Sequence, residues 1–400
     1  MDCTGIETPF YLYDTGLLER TLGAACDASS RFGYELHYAV KANHQPEVLA
    51  RIAARGLGAD CVSGGEVAAA MDAGFRPGSI VFAGVGKTDE EIVLALENRV
   101  GCIHCESLQE LEIVAGLARQ MGHRARVALR VNPEVDAQTH RLITTGLAEN
   151  KFGIPLTQLQ PALEICKREE ALVLEGLHFH IGSQILEEGP FVALCRKASD
   201  IWREFRLDAH GAMSLNLGGG LGIHYEDPRG HPVPDFHGFF SLFDRHLQVP
   251  PQVKIRFEPG RSIVGQCASL ITRVLFVKEG IQRLFLVVDA GMTELLRPAL
   301  YQARHHIDNL SSRAGVRRYH VVGPACETTD SFGTDVSLPL ARRGDLLAIR
   351  SCGAYGQSMS LRYNLRREAP AYYYEENPFP GPPAGREPAR TGELSPAVLV

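Results

Sequence analysis

The chain has 400 residues, 45% of them hydrophobic and 22% charged, with a formal net charge of -6. The length exceeds what one hydrophobic core usually serves, so two domains are expected. The absence of a basic block argues against a nucleic-acid partner, no apolar run reaches the roughly 18 residues of a membrane helix, and ten cysteines are too sparse for a disulfide scaffold.

Met1-Asp2-Cys3-Thr4 shows no basic region followed by an apolar stretch, so no signal peptide is expected. The cysteines read as reduced thiols of a cytoplasmic protein. Cys102 and Cys105 have the spacing of a metal knuckle, but no second Cys-x-x-Cys follows, and no metal is expected.

An alternating segment at 9–13 reads as the first strand. From residue 36 onward, short apolar runs that end in glycine or polar residues alternate with amphipathic helical patterns. The runs are 36–40, 58–62, 80–83, 101–105, 126–131, 174–181, 214–217 and 253–257, and helical patterns such as 88–97 and 107–121 lie between them. Strand–helix alternation implies parallel pairing through right-handed crossovers, and eight such units fit a (β/α)8 TIM barrel. An open doubly wound sheet would carry its glycine-rich turn after the first strand, whereas Gly218-Gly219-Gly220 follows the seventh. In barrels, the loops after strands seven and eight often bind phosphate.

After Arg261 the pattern changes. The runs 269–277, 283–288, 318–322 and 345–349 are strand-like and lack long helices between them. They predict a second, mostly-β domain, which the 9–13 strand joins. The barrel, 30–265, would then interrupt a β domain made of 1–29 and 266–376, and the proline-rich stretch 377–400 reads as a flexible tail.

Barrel enzymes place their sites at the carboxyl ends of the strands. Here those ends carry Lys41, Asp60, Arg130, His180 with Ser183, the triple glycine, and Glu258-Pro259-Gly260-Arg261. One lysine, one flat histidine, acids and a glycine turn at one mouth match what pyridoxal 5'-phosphate requires. Its aldehyde needs an amine, its ring nitrogen a carboxylate, its phosphate close backbone N–H groups, and its ring a flat neighbour. Taken singly, each has a plainer reading: a solvated lysine, a rim salt bridge, a packed histidine, an ordinary turn.

The ordered set is more specific. Tyr38-Ala39-Val40-Lys41-Ala42-Asn43, His178-Phe179-His180-Ile181-Gly182-Ser183-Gln184, Asn216-Leu217-Gly218-Gly219-Gly220 and Glu258-Pro259-Gly260-Arg261 resemble the signatures of the alanine-racemase-like, fold type III decarboxylases that use pyridoxal phosphate. Asp289-Ala290-Gly291-Met292 with Arg297-Pro298-Ala299-Leu300-Tyr301, Gly323-Pro324-Ala325-Cys326-Glu327-Thr328-Thr329-Asp330, and Cys352-Gly353-Ala354-Tyr355-Gly356 resemble the diaminopimelate branch in particular.

The resemblance spans about residues 5–370 and implies roles. Lys41 would hold the cofactor covalently, with Asp60 nearby. Glu258 would face the ring nitrogen and His180 would stack on the ring. Ser183, Gly218, Gly219, Gly220, Gly260, Arg261 and Tyr363 would bind the phosphate side. Arg261, Arg297, Tyr301, Glu327 and Tyr363 would hold the substrate, and Cys326 would return a proton after carbon dioxide leaves. It also implies a homodimer whose partner supplies Cys326 and Glu327. The implied reaction is conversion of meso-2,6-diaminopimelate to L-lysine, the last step of lysine biosynthesis. A distal carboxylate suits an arginine such as Arg297. Carboxynorspermidine, arginine, ornithine or a D-amino acid stay open as substrates. A racemase would need a tyrosine base opposite Lys41, and a cofactor-free regulator would not need Lys41, Glu258 and Cys326.

Overall fold

The computed structural model describes residues 5–135 and 151–375; the tail expected at 377–400 lies outside the described residues. Eight parallel strands close into a barrel: β2 (Glu35–Ala39), β3 (Gly58–Cys61), β4 (Ile80–Phe82), β5 (Cys102–Cys105), β6 (Ala125–Arg130), β7 (Leu172–His178), β8 (Ser214–Asn216) and β9 (Lys254–Phe257). Before them runs β1 (Phe10–Asp14). β2 closes the ring against β9, with Leu36 opposite Phe257. All eight runs expected from the sequence are strands of this barrel.

Local chemistry sets the helices between them. Thr88 caps Asp89–Glu97 in a reciprocal capping box with Glu91, and Ser107 caps Leu108–Gln120 through the Glu110 N–H. Outside β9, the Phe257 ring meets Phe240 and Phe243 of helix Phe236–His246 at 5.1 and 4.7 Å between centroids. Each such buried side chain contributes about 1.5–3 kcal/mol by area. Because neighbours along a strand point to opposite faces, anchoring Phe257 outward turns Glu258 inward. The same alternation separates Cys102 from Cys105. Cys102 lies in a small cluster with Val81 and Ala128, whereas Cys105 belongs to the main core.

The expected strand 174–181 ends three residues early, at His178. Phe179 N–H still bonds to Asn216 O, but Gly182 and the following loop leave the sheet. His180 therefore stands on a loop and not on a strand.

The second domain is a sheet in the order β12 (Ile307–Asn309), β15 (Leu346–Ile349), β10 (Ala268–Glu279), β11 (Leu284–Val288), β13 (Val316–Val322), β14 (Ser331–Pro339). β1 pairs antiparallel with β10, Phe10 opposite Ile271, and parallel with β16 (Ala371–Tyr374), Tyr11 opposite Ala371. The N-terminal strand thus joins the C-terminal sheet across the barrel insertion. Three strands were not foreseen. β12 is three residues long, β14 is broken by Gly333 and Asp335, and β16 reads as a tyrosine-rich end; pairing partners define all three. Helix Thr15–Arg31, capped by Asp14, links β1 to the barrel and packs on helix Phe236–His246.

Candidate active site

Lys41 stands in the turn Val40–Ala42 just after β2, and its Nζ lies 2.7 Å from Asp60 Oδ2 on β3. Asp60 is fully buried, while the Lys41 side chain keeps 35% of its exposure. Burial works against the lysine's charge, yet Asp60, Tyr355 and Glu258 outweigh it and hold the ammonium above its usual range. Burial and Glu258 push the Asp60 carboxyl up, and the Lys41 ammonium opposes them. Asp60 Oδ1 has no partner.

Glu258 follows β9 and is buried. Asn216 Nδ2 donates to its Oε1 at 2.6 Å, and His178 Nε2 lies 3.0 Å from Oε2. Burial alone would raise this carboxyl, but its contact with His178, the nearby His104 ring and Lys41 hold it well below the usual carboxylate range. His180 lies on the loop after β7, and its Nδ1 accepts the Gly219 N–H at 3.4 Å. Burial first, and then the Lys41 cation, holds His180 well below the ordinary histidine value, so the ring is neutral.

The glycine turn is sterically obligatory. A Cβ on Gly218 would come within 2.5 Å of Phe179 O and 2.8 Å of His180 Nδ1, and φ there is +69°. A Cβ on Gly219 would lie 2.3 Å from Glu258 O. Only glycine lets this loop meet both the histidine and the glutamate. Arg261 Nε and Nη2 donate to Ser183 Oγ at 3.2 and 3.1 Å, and its guanidinium stacks 4.8 Å from the Tyr355 ring.

A second arginine approaches the same place. Arg297 opens the one-turn helix Arg297–Tyr301, is 4% exposed, and stacks 4.7 Å from the Tyr225 ring, which also faces Arg261 at 5.8 Å. Arg297 Nη1 donates to His305 Nε2 at 2.9 Å, and His305 Nδ1 donates to Arg350 O at 2.8 Å. Burial and the adjacent Arg297 lower His305 to about 3, so it stays a neutral acceptor. Arg297 Nε is buried without a partner. An unsatisfied buried guanidinium N–H costs on the order of 1–3 kcal/mol, which an arriving carboxylate would recover.

The structure gathers Lys41, Asp60, His180, Ser183, Gly218, Gly219, Gly220, Glu258, Gly260 and Arg261 at the carboxyl end of the barrel, with Arg297 beside them across the Tyr225 ring; Tyr301 ends the Arg297 helix. Cys326, Glu327 and Tyr363 are exposed on the β domain, where Tyr363 OH donates to Glu327 Oε1 at 2.7 Å. Asp330 shapes their loop, because its carboxylate accepts the N–H groups of Met292 and Ala325 at 2.6 and 2.7 Å. Arg130 pairs with Glu106 at 2.7 Å.

Sequence reasoning did not single out Tyr225, His305 or Tyr355 as neighbours of the arginines. Nor did it weigh His104, His178 and Asn216 around Glu258. Inward alternation on β5, β7 and β8 was the available signal for the last three. The 352–356 motif is a clasp: Asn43 Nδ2 donates to Gly353 O at 2.8 Å, and Tyr355 N–H donates to Ala42 O at 2.8 Å. It locks the β domain onto the lysine turn.

Residues 19–265 match the family model described as the pyridoxal binding domain of pyridoxal-dependent decarboxylases. A diaminopimelate decarboxylase from Bacteroides thetaiotaomicron is 48% identical over 374 residues, 93% of this chain and 96% of that protein. The chain belongs to the diaminopimelate decarboxylase family. Among solved structures, the Helicobacter pylori diaminopimelate decarboxylase complexed with L-lysine superposes with a TM-score of 0.88 at 37% identity, over 93% of this chain and 92% of that one. A lysine/ornithine decarboxylase from Vibrio vulnificus, complexed with putrescine, reaches a TM-score of 0.80 at 21% identity, covering 93% of this chain and 96% of its own. That likeness speaks for the shared fold alone.

The site fits the family's cofactor. A partly exposed lysine is held against a buried acid with one free oxygen, a carboxylate is held ionised, and a loop that a Cβ would obstruct runs against both His180 and Glu258.

Proposed function

We propose that this protein decarboxylates meso-2,6-diaminopimelate to L-lysine and carbon dioxide with pyridoxal phosphate, as the last step of lysine biosynthesis. The observation that carries the substrate is Arg297: buried, without a partner at Nε, and sharing the Tyr225 ring with Arg261 at the barrel mouth. A substrate with a carboxylate at its far end gives that guanidinium the acceptor it lacks. Ornithine has no such group.

When bound, pyridoxal phosphate supplies an electron sink that takes the electron pair released as the carbon–carboxyl bond breaks. Lys41 Nζ would hold the cofactor's aldehyde, with Asp60 keeping that amine oriented. Glu258, held ionised, would keep a proton at the ring nitrogen. His180 would offer the ring a flat neutral neighbour. Ser183, the Gly218–Gly220 turn, Gly260 and Arg261 would hold the phosphate. Arg297 and Tyr301 grip the distal end of the substrate.

Cys326 Sγ delivers the proton to the carbon that loses carbon dioxide, with Glu327 and Tyr363 beside it. Because these three are exposed within one chain, we place them in the partner's active site, in a homodimer that shares its sites across the interface. In this reading the barrel domain is 30–265 and the complementing β domain is 1–29 with 266–376. Among the described residues no helix is long and apolar enough to cross a membrane, and we assign the protein to the cytoplasm.

The deciding experiment is product identification after incubation with meso-diaminopimelate and pyridoxal phosphate. Stoichiometric L-lysine and carbon dioxide are expected. Turnover of ornithine or arginine in preference to diaminopimelate would refute the substrate assignment.

A further inference from the structure

Glu258 has its own supporting layer beneath the mouth. A carboxylate only accepts, so the 3.0 Å contact between His178 Nε2 and Glu258 Oε2 requires the His178 proton on Nε2. His178 Nδ1, on the other side of the ring, is buried with no partner. His104 packs against the His178 ring at 4.3 Å between centroids, and its Nδ1 stands 3.7 Å from Glu258 Oε1, beyond hydrogen-bond reach. Its Nδ1 also has no partner, and both imidazoles are 2% exposed. Neither histidine has a part in the chemistry described above.

We propose that His178 is a positioning residue that keeps Glu258 an oriented carboxylate toward the cofactor's ring nitrogen, with His104 as the wall that fixes the imidazole plane. The inference rests on the reading that Glu258 serves that nitrogen. A buried carboxylate without donors takes up a proton, and a protonated Glu258 cannot hold a proton on the ring nitrogen. Lys41, Asp60, His37, His104, His178 and His180 all lie within electrostatic reach of Glu258. Of these, the Asp60 carboxylate disfavours its charge, and His178 is the one that gives Glu258 a hydrogen bond. Asn216 fixes the other oxygen. His104, His178 and Glu258 are also close enough together to ligate a metal ion. However, the His178 nitrogen nearest Glu258 carries the proton of their hydrogen bond, and a protonated Nε2 cannot ligate, so the hydrogen-bonded reading is preferred.

The test uses the holoenzyme with His178→Phe, His178→Gln and Glu258→Gln, read by the pH profile of kcat/KM, the bound cofactor's absorbance against pH, and metal content. Activity needs Glu258 ionised, so removing its donor raises that carboxyl and activity fails at a higher pH on acidification. His178→Phe is expected to move the acid limb up by about one pH unit and to weaken cofactor binding roughly tenfold. His178→Gln, whose amide can donate, is expected to restore most of the wild-type profile. If His178→Phe leaves profile and spectrum unchanged while Glu258→Gln alters both, this inference fails and the Glu258 reading stands. If Glu258→Gln itself changes neither, the Glu258 reading fails. A Gln variant no better than Phe would reduce the role to packing, and stoichiometric metal in the wild type would replace the proposal with a metal centre.

Discussion

A lysine amine 2.7 Å from a fully buried aspartate is a reactive group kept in place by its neighbour. Lys41→Ala is expected to abolish the visible absorbance of the bound cofactor and nearly all turnover. Borohydride reduction of the wild type followed by peptide mapping should tag Lys41, and a tag on another lysine would sink the assignment. Arg297 tests recognition separately from chemistry. Its proposed partner, the distal carboxylate, is present throughout the reaction, so Arg297→Ala should raise KM far more than it lowers kcat. Loss of a charge-assisted contact in a buried site costs on the order of 2–5 kcal/mol, roughly thirty-fold or more in apparent affinity. Steady-state kinetics on diaminopimelate checks this, and an unchanged KM would remove the main support for that substrate.

Glycines decide geometry at the level of the element. The turn after β8 approaches Glu258 O so closely that one methyl group cannot be added at Gly219 without moving backbone. Gly219→Ala should therefore weaken cofactor affinity about tenfold or more, in line with overpacking costs of roughly 1–3 kcal/mol. Gly189→Ala, in helix Glu188–Glu204, meets nothing within 4 Å and should leave cofactor affinity unchanged. Fluorescence titration of both apoenzymes with pyridoxal phosphate compares them directly, and equal affinities would remove the steric argument. β1 shows the converse dependence. Its apolar alternation was legible in the sequence, but its place between β10 and β16 is fixed by residues more than 250 positions away.

Two domains and, by our proposal, two chains must agree for the whole molecule to work. Asp308 ties them within the chain, pairing with Arg229 of a barrel loop at 2.9 Å and with Arg350 of the β domain at 2.7 Å. Burial opposes its charge, but His306, Arg350 and Arg229 overcome it and hold Asp308 well below the usual carboxylate range. A depressed folded-state value means stability that is present above the unfolded value, about pH 4, and lost as pH falls further. Asp308→Asn should lower Tm at pH 7 and flatten the loss of Tm on acidification, as calorimetry from pH 7 to 3 would show. Sharing of sites between chains has its own test. Lys41→Ala and Cys326→Ala are each expected to be nearly inactive, yet mixing them should recover about a quarter of wild-type activity through dimers with one intact site. No recovery after subunit exchange would refute the shared site.

Eight barrel strands, the order of the motifs and the lysine, histidine and glutamate at the mouth were legible in the sequence alone. Strand periodicity and glycine placement are local properties, and the strand ends of a barrel collect catalytic groups by topology. What stayed hidden depends on partners distant in the chain. Inward alternation marked His104, His178 and Asn216 as barrel-facing, but only closure of the eight strands brings them around Glu258. Tyr225 and His305 flank Arg297 because a barrel loop meets the β domain there, a contact that no periodicity encodes. β12, β14 and β16 are short or interrupted, and they became strands because a neighbouring strand satisfied their backbone groups. Sequence fixes which groups can react and which segments can pair; the packing of one domain on the other decides which of those groups meet.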